Sequence, residues 1–216
     1  MKLNKILRLA DLFYTLASSD SEELPEDSDD LKTILQNIEK LETYQARKKY
    51  AEKNLKHLSS GSARIVYSTN KNTIIKMAKN DKGIAQNKAE ANPKMKSKYL
   101  NDILSHAKNH AWIEVGHLDK ISEKEFKKMT GLDFEDFGDS IRYGLKNVSG
   151  NTDKEKPKNF TQVEKSEIYK ELKEVGNKFK LMPGDLARIS SWGTKNGKPV
   201  LIDAGLTKDV FAEFYE

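Results

Sequence analysis

Apolar residues recur along this chain with two different periods, and the switches between them set the expected elements. Leu3, Ile6, Leu7, Leu9, Ala10, Leu12, Phe13 and Leu16 fall at helical spacing, with Lys5, Arg8 and Asp11 on the remaining face. This predicts an amphipathic helical arm over residues 1–18. Residues 19–30 are acidic, contain Pro25 and carry no apolar period, so they read as a flexible linker. Leu31, Ile34, Leu35, Ile38, Leu41 and Tyr44 then resume steps of three and four. One long helix is expected from there into the fifties, capped by Asp29 or Asp30.

Farther along, β-branched and alternating residues predict strands near 64–68 and 73–78, joined by the turn Asn70-Lys71-Asn72. A helix is expected in part of 84–108, interrupted early by Pro93, and Trp112-Ile113-Glu114-Val115 reads as a strand. Ser122 with Glu125 has the spacing of a capping box for a helix through Met129. Thr161 with Glu164 has it for a helix through Phe179, whose apolar face is Val163, Ile168, Leu172, Val175 and Phe179. Asn147 to Asn159, rich in Gly, Asn, Lys and Asp, is expected to be a loop, and Lys198-Pro199-Val200-Leu201 a strand.

Composition narrows the class. The 216 residues suit one compact or two-lobed domain with an appended arm, here 31–216 after the arm and linker. There is no cysteine, which excludes disulfides and thiolate metal sites. No apolar stretch approaches membrane-spanning length and no secretory leader is evident, so a cytoplasmic setting without membrane attachment is expected. The net charge of +5 is uneven: residues 1–30 hold three basic and eight acidic groups, leaving 35 basic and 25 acidic groups on 31–216. A body of net +10 could attract a nucleotide, an acidic partner or, less favoured, nucleic acid; with the lysines scattered among acids and few aromatics beside them, a lysine-rich solvated surface is the favoured reading. The tethered helix reads as a docking peptide for a protein partner, or as a segment that packs back on its own domain.

Several residues carry candidate chemistry. Asp185 follows Pro183-Gly184, and Asp203 ends the run Val200-Leu201-Ile202 before Ala204-Gly205, so both carboxylates stand at exits of regular elements. An acid after a strand suits Mg²⁺ held by phosphates, the expected role of Asp203; Asp185 suits acceptance or orientation of a hydroxyl proton. Lys76, amid Thr73-Ile74-Ile75 and Met77-Ala78, points a cation into a cleft. It needs a fixed counter-ion, for which Glu90 on the next helical segment is the candidate. Ser59 to Tyr67, with Gly61 and Ser62, is a small-residue turn that either brings backbone N–H groups to phosphates or is an ordinary hairpin turn. His106, His110 and Glu114 have metal-like spacing, yet the segment leaves its helix before Trp112 and offers no third ligand in familiar order.

Taken in order, residues 59–210 resemble the protein-kinase-like superfamily, including its small-molecule phosphotransferases. The resemblance implies an α+β, two-lobed fold with an antiparallel N-lobe sheet and a reduced helical C-lobe. It assigns Gly61 to Val66, with Ser62, to the nucleotide-covering loop, Lys76 and Glu90 to the strand lysine and its helix partner, and Gly116-His117-Leu118 to the hinge. Asp185 matches the catalytic-loop aspartate and Asp203-Ala204-Gly205 the metal-binding segment, with ATP and Mg²⁺ as the implied cofactors. Ser190 or Ser191 stands where the family has its second metal ligand, an asparagine; Ala204 replaces phenylalanine; Pro183-Gly184 replaces the usual histidine or arginine. Eleven residues follow Gly205, which leaves no room for a peptide-binding subdomain, so the expected acceptor is a small molecule or other non-peptide. The competing expectation is an inactive pseudokinase serving as a binding module. The lysine-rich, miniature core also resembles some bacteriophage proteins, implying a virion or assembly role.

Overall fold

A computed structural model describes residues 30–215. The expected arm over 1–18 and nearly all of the linker lie outside the described residues. The fold is α+β. Its first half is a five-stranded antiparallel sheet in the order β1-β2-β3-β5-β4, built from β1 (Lys56–Ser60), β2 (Arg64–Ser68), β3 (Thr73–Ala78), β4 (Ile103–His106) and β5 (Trp112–Gly116). The turn between β2 and β3 uses Asn72 at φ 55°, a left-handed conformation that asparagine tolerates.

Strand alternation decides what each face of this sheet does. Ile65 and Tyr67 of β2 and Ile75 and Met77 of β3 pack with Leu31, Ile34, Leu35 and Ile38 of α1 (Leu31–Lys40) and Ala51 of α2 (Tyr44–Asn54). Arg64 and Val66, with Ile74 and Lys76, have the opposite parity and turn to the other face. Because Val66 pairs with Lys76 and Arg64 with Ala78, the two cations lie diagonally across neighbouring strands.

The long helix expected from 31 into the fifties is instead these two helices, broken at Leu41–Thr43. Thr43 caps α2 by accepting from the Ala46 N–H at 3.2 Å. The buried Arg47 guanidinium donates to the Leu41 and Glu42 carbonyls at 3.1 and 2.9 Å. Arg47, followed in sequence by Lys48 and Lys49, thus satisfies the backbone of the bend. The helix expected within 84–108 is α3 (Asp81–Glu90), capped by Asn80, and the chain beyond Pro93 returns as strand β4.

The second half is mainly helical: α4 (Glu123–Thr130), α5 (Phe134–Gly144), α6 (Lys146–Ser149), α7 (Phe160–Val163), α8 (Glu167–Phe179), α9 (Pro183–Leu186) and α10 (Lys208–Phe214). A small sheet, β6 (Asp119–Lys120), β7 (Trp192–Lys195) and β8 (Lys198–Leu201), accompanies them. The capping box at Ser122 and Glu125 forms. The one expected at Thr161 does not: α7 ends at Val163 and the long helix begins anew at Ser166, whose hydroxyl accepts from the Tyr169 N–H. The expected loop over 147–159 starts with a helical turn, α6.

An aromatic nest sits at the centre of this half. Phe126 meets Phe134 and Trp192 edge-on at 5.0 and 5.6 Å, and Phe137 meets Trp192 at 5.8 Å. Trp192 is fully buried and donates its indole N–H to the Leu186 carbonyl at 3.0 Å. The core is thereby fastened to the segment carrying Asp185 and Ser190. Truncation of Phe126 to Ala should cost about 3–5 kcal/mol in denaturant unfolding, whereas Leu104→Ala, at a 54% exposed position, should cost well under 1 kcal/mol. Equal losses at the two positions would show that the nest is not the core.

Candidate functional site: a charged cleft between the two halves

Lys76 on β3 is 3% exposed. Its ammonium donates to Glu90 Oε1 and to the Ile202 carbonyl, both at 2.6 Å. The second Glu90 oxygen, Oε2, accepts from Arg64 Nη1 at 2.6 Å, and the other arm of that guanidinium pairs with Asp203 Oδ1. Glu90 closes α3, so its place depends on how that helix docks. Asn87, one turn earlier and fully buried, donates to the carbonyls of Lys76 and His110 at 3.3 and 2.9 Å, fastening α3 to the sheet. Gly83 permits the same docking at the other end, since a Cβ there would stand 2.2 Å from the Ala63 carbonyl oxygen.

Asp203 belongs to the second half and is delivered by β8. Ile202 N–H donates to the Ser191 carbonyl at 2.8 Å, which ties the Asp203 segment to the stretch that follows Asp185. The Gly205 N–H donates to Asp203 Oδ1 at 3.2 Å. Gly205 also lets this loop lie against α3, because a Cβ there would be 2.8 Å from the Gln86 carbonyl oxygen. Burial alone would raise the Asp203 pKa; Arg64 first and Lys76 second outweigh it and hold the carboxyl well below its ordinary value. Arg64 is raised in turn by Asp203 and Glu90, against the opposing effect of its own burial.

Asp185 lies in the single turn of α9, with its side chain 22% exposed. Burial, and then the charge of Asp203, push its pKa up; Arg188, 3.8 Å away, works in the opposite sense. The two aspartates are therefore driven apart, one firmly ionised and the other easier to protonate.

Two adjoining hollows share Lys76, Val66, Ser59 and Asp203. The inner one, about 460 Å³, has Val66 and Ile74 from the sheet, Ile202 and Leu118 from the second half, and His117 and Ser190 in its wall. The outer one, about 450 Å³, is polar and includes Gly61, Ser62, Arg64, Asp185, Arg188 and Asp203. A larger hollow of about 840 Å³ is lined within residues 91–106 and contains none of Lys76, Glu90, Asp185 or Asp203. Size alone is thus a poor guide; the smaller hollows hold the converging charges.

Every residue of the kinase-like set expected from sequence faces or adjoins this cleft. The turn at Gly61 and Ser62 is held by Gly61 N–H to Arg64 O at 2.8 Å, Lys79 to Gly61 O at 2.9 Å and Asn80 to Ser62 O at 3.2 Å. His106, His110 and Glu114 do not form a metal site. His106 ends β4, His110 occupies the following turn at φ 57°, and the Glu114 carboxylate accepts from Thr73 and Ser105 at 2.9 and 2.7 Å. Sequence reasoning assigns Arg64 no role of its own; the signal for it is strand parity, which it shares with Val66 and, across the pair, with Lys76.

Asp203 and Ser190 do not make a donor set for a divalent ion as they stand. Asp203 Oδ1 already accepts from Arg64 and Gly205 and Ser190 offers only a neutral hydroxyl, so a divalent ion would have to share Asp203 with a resident guanidinium.

No protein-family model matches the sequence, and no curated protein matches it. Among solved structures the chain is similar to a ternary complex of streptomycin, ATP and APH(2″)-IIa, at 14% identity over 77% of this chain and 73% of that one, with a TM-score of 0.35. It is similar also to an ADP-bound aminoglycoside phosphotransferase, APH(2″)-Ib, at 15% identity over 72% and 68%, with a TM-score of 0.35. The antiparallel sheet and the lysine–glutamate pair on β3 and α3 are the features the resemblance implies.

Two outcomes test this electrostatic arrangement. Glu90→Gln leaves two buried cations short of one negative charge and should destabilise the fold by about 3–5 kcal/mol in denaturant titration; a loss below 1 kcal/mol would mean that the cluster is solvated. Asp203, with a depressed pKa, contributes stability that is present above the ordinary carboxylate value of 3.8 and is lost as pH falls through its folded value. The melting-temperature advantage of wild type over Asp203→Asn should therefore stay constant from neutral pH to about 4 and close below it. An advantage that grew on acidification would reverse the assigned sign.

Proposed function

We propose that the cleft binds a nucleoside triphosphate and that the protein is a kinase-like phosphotransferase whose acceptor is a small, non-peptide hydroxyl compound. The observation that carries this reading is the fixed, buried Lys76–Glu90 pair, which opens on a cleft with Asp185 and Asp203 in its wall. At this depth the lysine is paired with its carboxylate and still lines the cleft.

The inner hollow suits a planar base: Val66 and Ile74 above, Leu118 and Ile202 below, and the backbone around His117 at its edge. Lys76 and Arg64 attract the phosphates, while the small residues at Gly61 and Ser62 let the turn approach them closely. A bound triphosphate supplies the transferable phosphoryl group. Asp185 orients an acceptor hydroxyl and takes its proton, a task suited to a carboxylate whose pKa is raised by burial and by Asp203. Asp203 holds Arg64 in place. The ATP and ADP of the two similar structures belong to those proteins; ATP is the first nucleotide to try here.

A second reading, a pseudokinase-like module that binds nucleotide without transfer, is favoured by one observation: Arg64 occupies Asp203, and Ser190 supplies no charge beside it. Asp185 separates the two readings. With a panel of hydroxyl-bearing acceptors and ADP formation as the readout, Asp185→Asn should lower turnover by about 100-fold or more while nucleotide affinity is unchanged, and Lys76→Met should weaken affinity itself. If the wild type's melting temperature is unmoved by millimolar ATP or GTP, the nucleotide reading fails. Binding without ADP formation selects the module.

A further inference from the structure

We infer that Arg64 takes the place of a divalent cation in this cleft, so that nucleoside triphosphate is bound through a resident guanidinium and without Mg²⁺. The inference rests on the nucleotide reading above and adds how the phosphate charge is met.

The charge count comes first. A lysine, its glutamate and two aspartates would leave the cleft with a net negative charge, which calls for an external cation before polyphosphate can approach. Arg64 changes this count. Lys76 and Arg64 together match Glu90 and Asp203, and the ion pairs among them are made within the fold. A divalent ion at Asp203 would add two positive charges beside two cations that cannot leave: Lys76 is 3% exposed and Arg64 7% exposed.

Arg64 is also held by more than its attraction to Asp203. Nη1 donates to Glu90 Oε2 at 2.6 Å and to Asn87 Oδ1 at 3.3 Å, and its strand position fixes the stem. Glu90 and Asn87 themselves are buried on α3. Arg64 holds Oδ1 of Asp203, so a metal would have to bind the other oxygen beside a cation that stays, or draw the guanidinium off one of its two carboxylates, a loss that a buried charge resists. A guanidinium also offers several N–H donors in a fixed fork suited to phosphate oxygens, and Arg64 lines the outer hollow with Lys76 and the Gly61–Ser62 turn.

The test is ATP affinity of the full chain by calorimetry in excess EDTA and again in millimolar Mg²⁺. Wild type should bind equally in both, within about twofold, and Arg64→Met should lose about tenfold or more in EDTA and regain affinity with Mg²⁺. Binding by wild type that disappears in EDTA would overturn the inference and leave the nucleotide site standing; no binding under either condition would overturn both. Because Arg64→Met can fail to fold, wild type alone is also titrated with Mn²⁺ and followed by water-proton relaxation. No saturable ion at millimolar Mn²⁺ is expected, and a bound ion that is lost in Asp203→Asn would overturn the inference.

Discussion

One carboxylate organises this molecule. Glu90 gives one oxygen to Lys76 and the other to Arg64, and those cations reach across to Ile202 and Asp203 in the second half of the chain. Two strands, one helix and the loop after β8 are thus joined through a single side chain at the end of α3. Removing its charge would leave Lys76 with only the Ile202 carbonyl and Arg64 with Asp203 alone, in an interior where under-paired ions cost far more than surface pairs contribute. The position of the helix, and with it the shape of the cleft, follows from meeting that demand.

The neighbouring packing can be understood as support for this carboxylate. Asn87 ties α3 to the backbone of β3 and of the β4–β5 turn, while Gly83 and Gly205 remove the side chains that would hold the helix away from the Ala63 turn and the Asp203 loop. On the other side, the Phe126–Phe137–Trp192 nest fixes the stretch from Asp185 to Ser191, and the Ile202 N–H to Ser191 carbonyl bond couples that stretch to Asp203. The aspartates are consequently set on rigid supports although both lie in irregular segments. Their environments drive their pKa values in opposite directions, as a division of roles requires.

Much of the frame was legible because strong periodicity and local turn chemistry act over a few residues. The strands at 64–68 and 73–78, the Asn70–Asn72 turn and the Ser122 capping box all emerged where the pattern placed them. Errors fell where long-range contacts override the local signal. Leu41 and Tyr44 continue the spacing of α1, yet the buried Arg47 satisfies the carbonyls of a bend there, a use of arginine that its basic neighbours disguise. Strand β4 follows a proline-broken helical pattern and exists because β5 provides its ladder. Helix α5 received no element although Phe134, Phe137 and Ile141 carry helical spacing; its glycines at 138 and 144 dilute the signal, and Gly138 is there for close approach to Ala187. Within the cleft, Lys76 and Glu90 announce themselves through chemistry that demands a partner. Arg64 does not, because only the pairing of β2 with β3 reveals that it faces the same acids.

The most direct measurement of this account is a crystal structure of the chain with a non-hydrolysable ATP analogue. The account predicts the base between Val66 and Ile202, phosphates against Lys76, and Arg64 still paired with Asp203. An analogue seated within residues 91–106, or an Arg64 released from Asp203 by a bound metal ion, would contradict it.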